Sequence, residues 1–296
     1  MADELELLRS ANPFTADGPV YGDGPLDHHA SRRLNRLLHE RRRRLCWSLA
    51  AVTAVAATVL TLVLGGPSGT PAVAAPRPLV VQAHSTPVSL KQLAALAAAV
   101  AVDGTPALRK GTHVQTWSLG MSDDKPPVTV PEERIVRWNA DASHTERVVE
   151  DGHVLKETTY PPSWSDVPPD ARPPHDVPGL RAYLQEAAYS KTPLTTPELL
   201  GAVGELLDRW TLGARESAAL ARLLAGADGL RPVGEVTDRL GRHGQAYVYQ
   251  RSATRLMLIM DPATGAVLGM ESTFTKDQPE YGVKAGDVMD YSAWTR

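Results

Sequence analysis

The sequence predicts an α+β protein: one transmembrane helix, then an extracytoplasmic domain with an antiparallel sheet, open to curving into a half-barrel, and a cluster of short helices. Three observations predict it. Leu45 to Leu64 is a twenty-residue run without a charge, Gly or Pro. Segments rich in Val, Thr and Ile, bounded by turn residues, lie on both sides of a stretch with helical periodicity. Of 296 residues 43% are apolar but only 5% aromatic, with 23 Gly and 24 Pro, which fits one folded domain plus irregular chain.

At about 1.5 Å per residue the Leu45 to Leu64 helix covers the roughly 30 Å hydrocarbon core of a bilayer. Arg41, Arg42, Arg43 and Arg44 stand immediately before it, with Arg32, Arg33 and Arg36 upstream, whereas the next twenty residues hold only Arg77. This asymmetry predicts a plasma-membrane protein with a cytoplasmic N terminus, and Trp47 stands where an interfacial anchor is expected. A buried helix of a soluble domain would need a polar stripe, which Ser48, Thr53, Thr58 and Thr61 do not form. A cleaved signal peptide could use Ala72-Val73-Ala74, but the leader and apolar run are too long for one. Cys46 at the bilayer edge is a conceivable lipidation site and reads first as a small apolar residue.

Residues 1–44 form a head of net charge +1, against −4 for the other 252 residues. A short helix over Met1 to Arg9 would place Leu5 and Leu8 on one face, the candidate cytoplasmic contact, before Asn12-Pro13 breaks it. A second helix is predicted from Asp27 to Arg44. Its Arg residues either set topology or attract anionic lipid at about 1 kcal/mol each. Residues 65–87 hold five Pro and three Gly, which predicts an extended stalk, and the folded domain spans 88–296.

Within that domain Ser89 predicts a helix start, with Leu90, Leu93, Ala94, Ala97 and Val100 on one face up to Val102. Strands are expected at Thr112 to Leu119, Glu132 to Asn139, His144 to Glu150 and Val154 to Thr159. Tyr160 to Pro178, with seven Pro, predicts a loop. Helices follow at Val177 to Ala188, capped by Asp176, and from Thr195-Thr196-Pro197-Glu198, a capping box whose apolar spacing runs on to Trp210. A third spans Ala214 to Leu224 and stops at Gly226. Four further strands are expected: Val233 to Asp238, Gln245 to Arg251, Thr254 to Met260 and Ala266 to Phe274. Asp261-Pro262-Ala263-Thr264-Gly265 joins the last two as a hairpin. Arg255 to Ile259 reads as a central strand, and Asp238 to Gly244 as a hairpin bending at Gly241 and Gly244.

Several of these segments carry a resemblance. Leu180-Arg181-Ala182-Tyr183-Leu184, the helix pair with Leu206-Leu207 and Leu220 to Gly226, Thr237 to Gly244, Asp261 to Gly269 and the opening Asp3 to Arg9 resemble an actinobacterial family of single-pass membrane proteins. Many members are encoded beside extracytoplasmic-function sigma factors. The resemblance implies a membrane-tethered regulator or sensor without assigned catalytic residues. It also implies a strand-rich domain loosely similar to the half-barrels of lipoprotein carriers and periplasmic anti-sigma partners.

Chemistry-bearing patterns are sparse. A single cysteine excludes an intrachain disulfide, a Cys-based zinc site and a Cys-x-x-Cys motif. The nine His, among them His28-His29, His84, His113, His144, His153, His175 and His243, lack ligand spacing. There is no Gly-x-Ser-x-Gly and no phosphate loop, since Gly201-x-x-Gly204 lies in a helix without a following Lys-Ser or Lys-Thr. The pairs Asp123-Asp124 and Glu132-Glu133 read as solvated charge because adjacent side chains point apart. A net charge of −3 argues against a globally basic nucleic-acid binder. The expectation is a non-enzymatic sensor or docking protein without cofactor or metal. Its partners would be the membrane, a cytoplasmic sigma-factor or regulatory partner and an unknown extracytoplasmic ligand. A carrier for a lipid or acyl chain is the alternative, on Met257, Met260, Met270 and the apolar strands.

Overall fold

Ser89 starts the first helix among the described residues because it can satisfy two otherwise orphaned amides at once. Its Oγ accepts from the Gln92 amide at 3.2 Å while Gln92 Oε1 accepts from the Ser89 amide at 3.1 Å, and helix α1 runs Leu90–Val100. The computed structural model describes residues 76–122, 125–150, 152–162 and 165–296. The expected membrane segment Leu45 to Leu64, Arg41 to Arg44, Trp47, Leu5 and Leu8 lie outside them. Among the described residues no helix is long and apolar enough to cross a membrane.

Beyond α1 come β1 (Arg109–Ser122), β2 (Lys125–Trp138), β3 (His144–Glu150) and β4 (His153–Tyr160), then helices α2 (Val177–Ala187) and α3 (Thr196–Leu207). A two-residue strand β5 (Trp210–Thr211) precedes α4 (Ala214–Leu224). The chain ends in β6 (Arg231–Thr237), β7 (His243–Gln250), β8 (Thr254–Met260), β9 (Val267–Phe274) and β10 (Val288–Thr295). All ladders are antiparallel, in the order β4-β3-β2-β1-β10-β9-β8-β7-β6, with β5 paired to the start of β1. The fold class is therefore α+β on an antiparallel sheet. Asp176 caps α2 through the Gly179 amide, and Thr195 with Glu198 caps α3, as their sequences predict.

Two expectations need correction, and one strand was not expected. Trp210 does not continue α3: that helix ends at Leu207, and Trp210 pairs with Lys110 in β5, where its ring is buried. Gly244 is not at a bend but inside β7, paired with Val236, while Gly241 (φ +79°) makes the turn. Val288–Thr295, where no strand was expected although Val288, Tyr291, Trp294 and Thr295 favour one, is a strand between β1 and β9 that joins the two halves of the sheet.

The core follows the period-two alternation of the strands. Val114, Tyr247, Leu258, Met260, Val267 and Trp294 face the four helices, which contribute Leu93, Leu180, Leu184, Val203, Leu206, Leu220, Leu223 and Leu224. Intervening residues, among them Val236, Ala246, Met257, Ile259, Tyr291 and Ala293, form a second cluster on the opposite face. The hairpin before β9 is pressed into the helical layer. Gly265 sits at φ +69°, and a Cβ there would meet the Ala97 methyl at 2.7 Å, so both conformation and space select glycine.

Residues 79–88, within and just past the segment read as a stalk, lie along the edge of β6 and the opposite face. Val81 bridges Val236, the Gln82 amide donates to the Glu235 carbonyl at 2.8 Å, and Leu79 and Val81 pack on the second cluster. Gly234 (φ +121°) makes room: a Cβ would meet Ser85 Oγ at 2.4 Å. Buried Glu271 holds this strap, accepting from the Leu79 amide and from Arg239, whose Nη2 also donates to the Arg77 carbonyl.

Candidate functional site

Strands β2 to β4 extend the sheet as a wing, and their side chains on the Val114 side form one continuous surface. The registers Val114↔Arg134, Arg134↔Val148 and Val148↔Lys156 define that side, and Trp138↔His144↔Tyr160 share it by parity. The result is a cross-strand stack. Trp138 and His144 rings lie 4.4 Å apart and His144 and Tyr160 rings 4.7 Å apart, both nearly parallel. Lys110 Nζ sits 3.7 Å from the Trp138 centroid and 5.6 Å from that of Trp210, closing the inner end by cation–π attraction.

Proline-loop contacts anchor this stack. Tyr183 Oη donates to the Pro169 and Ala171 carbonyls at 2.7 and 2.9 Å, Trp210 Nε1 donates to Pro169 at 3.1 Å, and Arg209 pairs with Asp170 at 2.7 Å. Below the stack Arg134 reaches Asp208 at 3.3 Å and Glu146 at 3.7 Å, and Tyr160 Oη donates to Glu146. Burial holds the Lys110 ammonium and the His144 imidazole below their usual values, and His144 Nδ1 has no hydrogen-bond partner. Burial pushes the Tyr183 hydroxyl well above the usual phenol range.

This arrangement can bind, but it holds no nucleophile bonded to a base. Glu132 and Glu133 point to opposite faces, as expected of neighbours in a strand; Glu133 accepts from or pairs with His113 on the far side. That His–Glu pair was legible only through the hairpin register. His243 Nδ1 lies 3.3 Å from Thr237 Oγ1 at an exposed strand end, and His28-His29 and Asp123-Asp124 lie outside the described residues. Among the described residues no group of three His, Cys, Asp or Glu could hold a metal ion. The Asp238 to Gly244 turn is structural: Asp238 accepts from the Leu240 and Arg242 amides, and Arg242 spans to the Leu268 and Trp294 carbonyls.

A cavity of about 20 Å3 lies between the helices and the sheet, lined by Trp210, Leu212, Ser217, Val267, Trp294 and Arg296. It has room for about one water molecule and none for an acyl chain. Asp290 on β10 has one side-chain partner, Ser272 Oγ at 3.0 Å, and burial pushes its carboxyl above the usual range. The folded state therefore binds its proton more readily than the unfolded chain. The stability contributed by protonated Asp290 is full below the unfolded carboxylate pKa and is lost as pH rises through the folded one. Asp290→Asn should remove that slope and leave the protein at least as stable at pH 7, read by denaturant unfolding from pH 4 to 8. A steeper loss of the variant's stability at pH 7 than at pH 4 would contradict this.

Compared with known proteins, the chain matches no protein family, no curated protein and no solved structure.

Proposed function

We propose that this chain is a membrane-anchored extracytoplasmic docking or sensing protein. Residues 45–64 span the membrane, 1–44 face the cytoplasm, and the α+β domain stands outside. The observation that carries this reading is the sided charge: Arg41 to Arg44 abut a twenty-residue apolar run whose far side has only Arg77 within twenty residues. The resemblance to sigma-factor-associated proteins supports a cytoplasmic regulatory partner, a sigma factor first, meeting the helix around Leu5 and Leu8. On the domain, the aromatic and charged wing offers surface for a ligand, while its catalytic repertoire is bare.

The carrier alternative also draws on the architecture, since an antiparallel sheet with helices on one face is what a half-barrel requires. A carrier needs a chamber, however; the helices pack that face with Leu side chains, and the cavity lined by Trp210, Leu212, Val267 and Trp294 holds only about 20 Å3. Docking is the better supported reading.

The test is affinity purification of the full-length chain from detergent-solubilised membranes, followed by protein and lipid mass spectrometry. Docking predicts a cytoplasmic transcription or regulatory protein that is lost when Leu5 and Leu8 are replaced by Ser, with no stoichiometric lipid. Stoichiometric acyl lipid without a protein partner would overturn it in favour of the carrier.

A further inference from the structure

The aromatic stack is capped at one end only. Lys110 covers Trp138 at the inner end, while Tyr160 stands on β4, the last strand of the wing, and among the described residues no strand pairs with the outer side of β4. This edge also exposes apolar surface: Val154 is 46% and Leu155 61% accessible, and Pro161 and Pro162 just beyond the strand are exposed. Free backbone donors and acceptors beside exposed apolar residues make an edge competent for strand addition.

We propose that β4 pairs antiparallel with β4 of a second copy, centred on Thr158. A two-fold axis that continues a sheet across two copies preserves each face, so every residue must oppose one an even number of positions away. That rule leaves few registers. Centring on Lys156 or on Glu157 opposes like charges directly, which is unfavourable. Centring on Leu155 runs through the irregularity in the β3–β4 register between Val148 and Val149. Centring on Thr159 leaves only three residues of β4 to pair, because Pro161 follows Tyr160.

The Thr158 register alone is complementary over the five residues Lys156 to Tyr160. Lys156 of each copy faces Tyr160 of the other, on the side where Tyr160 Oη reaches the Glu146 carboxylate, so an ammonium meets a ring face and a negative charge together. The stack then ends in a lysine at both ends. Glu157 opposes Thr159, and beyond the five paired residues the exposed Leu155 and Val154 of each copy lie towards the exposed Pro161 and Pro162 of the other. Lys156, which guards the edge against self-pairing in other registers, is the attractive group in this one.

Five paired residues make a small interface, so chemical capture is the suitable readout. Opposed residues in an antiparallel ladder have Cα atoms about 4.5 to 5.5 Å apart, within disulfide range. In the full-length chain carrying Cys46→Ser, Thr158→Cys should form an oxidised dimer at least tenfold more efficiently than Ser252→Cys, an exposed position in the turn before β8. Adding Lys156→Glu should reduce that yield about tenfold and Lys156→Arg should preserve it. Equal yields from Thr158→Cys and Ser252→Cys, or a yield indifferent to Lys156→Glu, would overturn the proposal.

Discussion

Arg239→Met should destabilise the domain by about 3 to 5 kcal/mol, the usual result of removing one partner of a buried ion pair. Glu271, fully buried on β9, would keep only the Leu79 amide as a donor, while Arg239 itself is just 14% exposed and lies 5.0 Å from the Tyr291 ring centroid. Burial already pushes the Glu271 carboxyl above its usual range, outweighing the lowering by Leu79 and Arg239. The deficit of Arg239→Met should therefore shrink as pH falls and the stranded carboxylate takes up a proton. Adding Glu271→Gln should recover much of the loss at neutral pH. The strap reports the same event: residues 79–85 should lose amide-exchange protection before the helices do, because their hold on β6 depends on this clamp. Urea unfolding at pH 5 and 8 checks the sign, and a deficit that grows on acidification would contradict it.

Leu224→Ala should cost about 3 to 5 kcal/mol, in the range found for trimming fully buried leucines. Leu224 is completely buried among Leu93, Leu180, Leu206 and Leu220, where the layer has no slack to close the space. For a domain of this size the melting point should fall by about 2 to 4 °C per kcal/mol. This also separates the two functional readings. A side chain that lines a lipid chamber could be shortened at small cost, so a loss below about 1 kcal/mol by calorimetry would count against a filled core and for the carrier.

Local signals made the helices and most strands legible. Ser89, Asp176 and the Thr195–Glu198 box act within three residues of themselves, and helices α1, α2 and α3 begin where those caps stand. Alternation and turn chemistry likewise placed β3, β4 and β8 to within about a residue. What escaped depends on partners far along the chain. Val288–Thr295 spaces its strand formers Val288, Tyr291, Trp294 and Thr295 without a period of two, and the strand is held by ladders to β1 and β9 on its two sides. Trp210 keeps helical spacing from Leu206, yet pairing with Lys110, a hundred residues earlier, draws it into the sheet. The proline-rich composition of residues 65–87 hid the contacts of Val81 and Gln82 with β6 in the same way.

The wing was half legible. His144 opens a predicted strand and Trp138 stands one residue from the end of another, whereas Tyr160 opens the predicted proline-rich loop and proves to be the last residue of β4; the registers of both hairpins bring the three side by side. Lys110 and Trp210 join them only through β5, which no local pattern announces. The proposed membrane sidedness, in contrast, rests wholly on charge and length along the sequence.

Cysteine accessibility tests that sidedness most directly. In a Cys46→Ser background, a Cys at Ser252 should react with a membrane-impermeant maleimide in intact cells, and a Cys at Ser10 should react only after permeabilisation. Labelling at Ser10 with protection at Ser252, or release of a soluble fragment beginning near Ala75, would contradict the anchored, N-inside account.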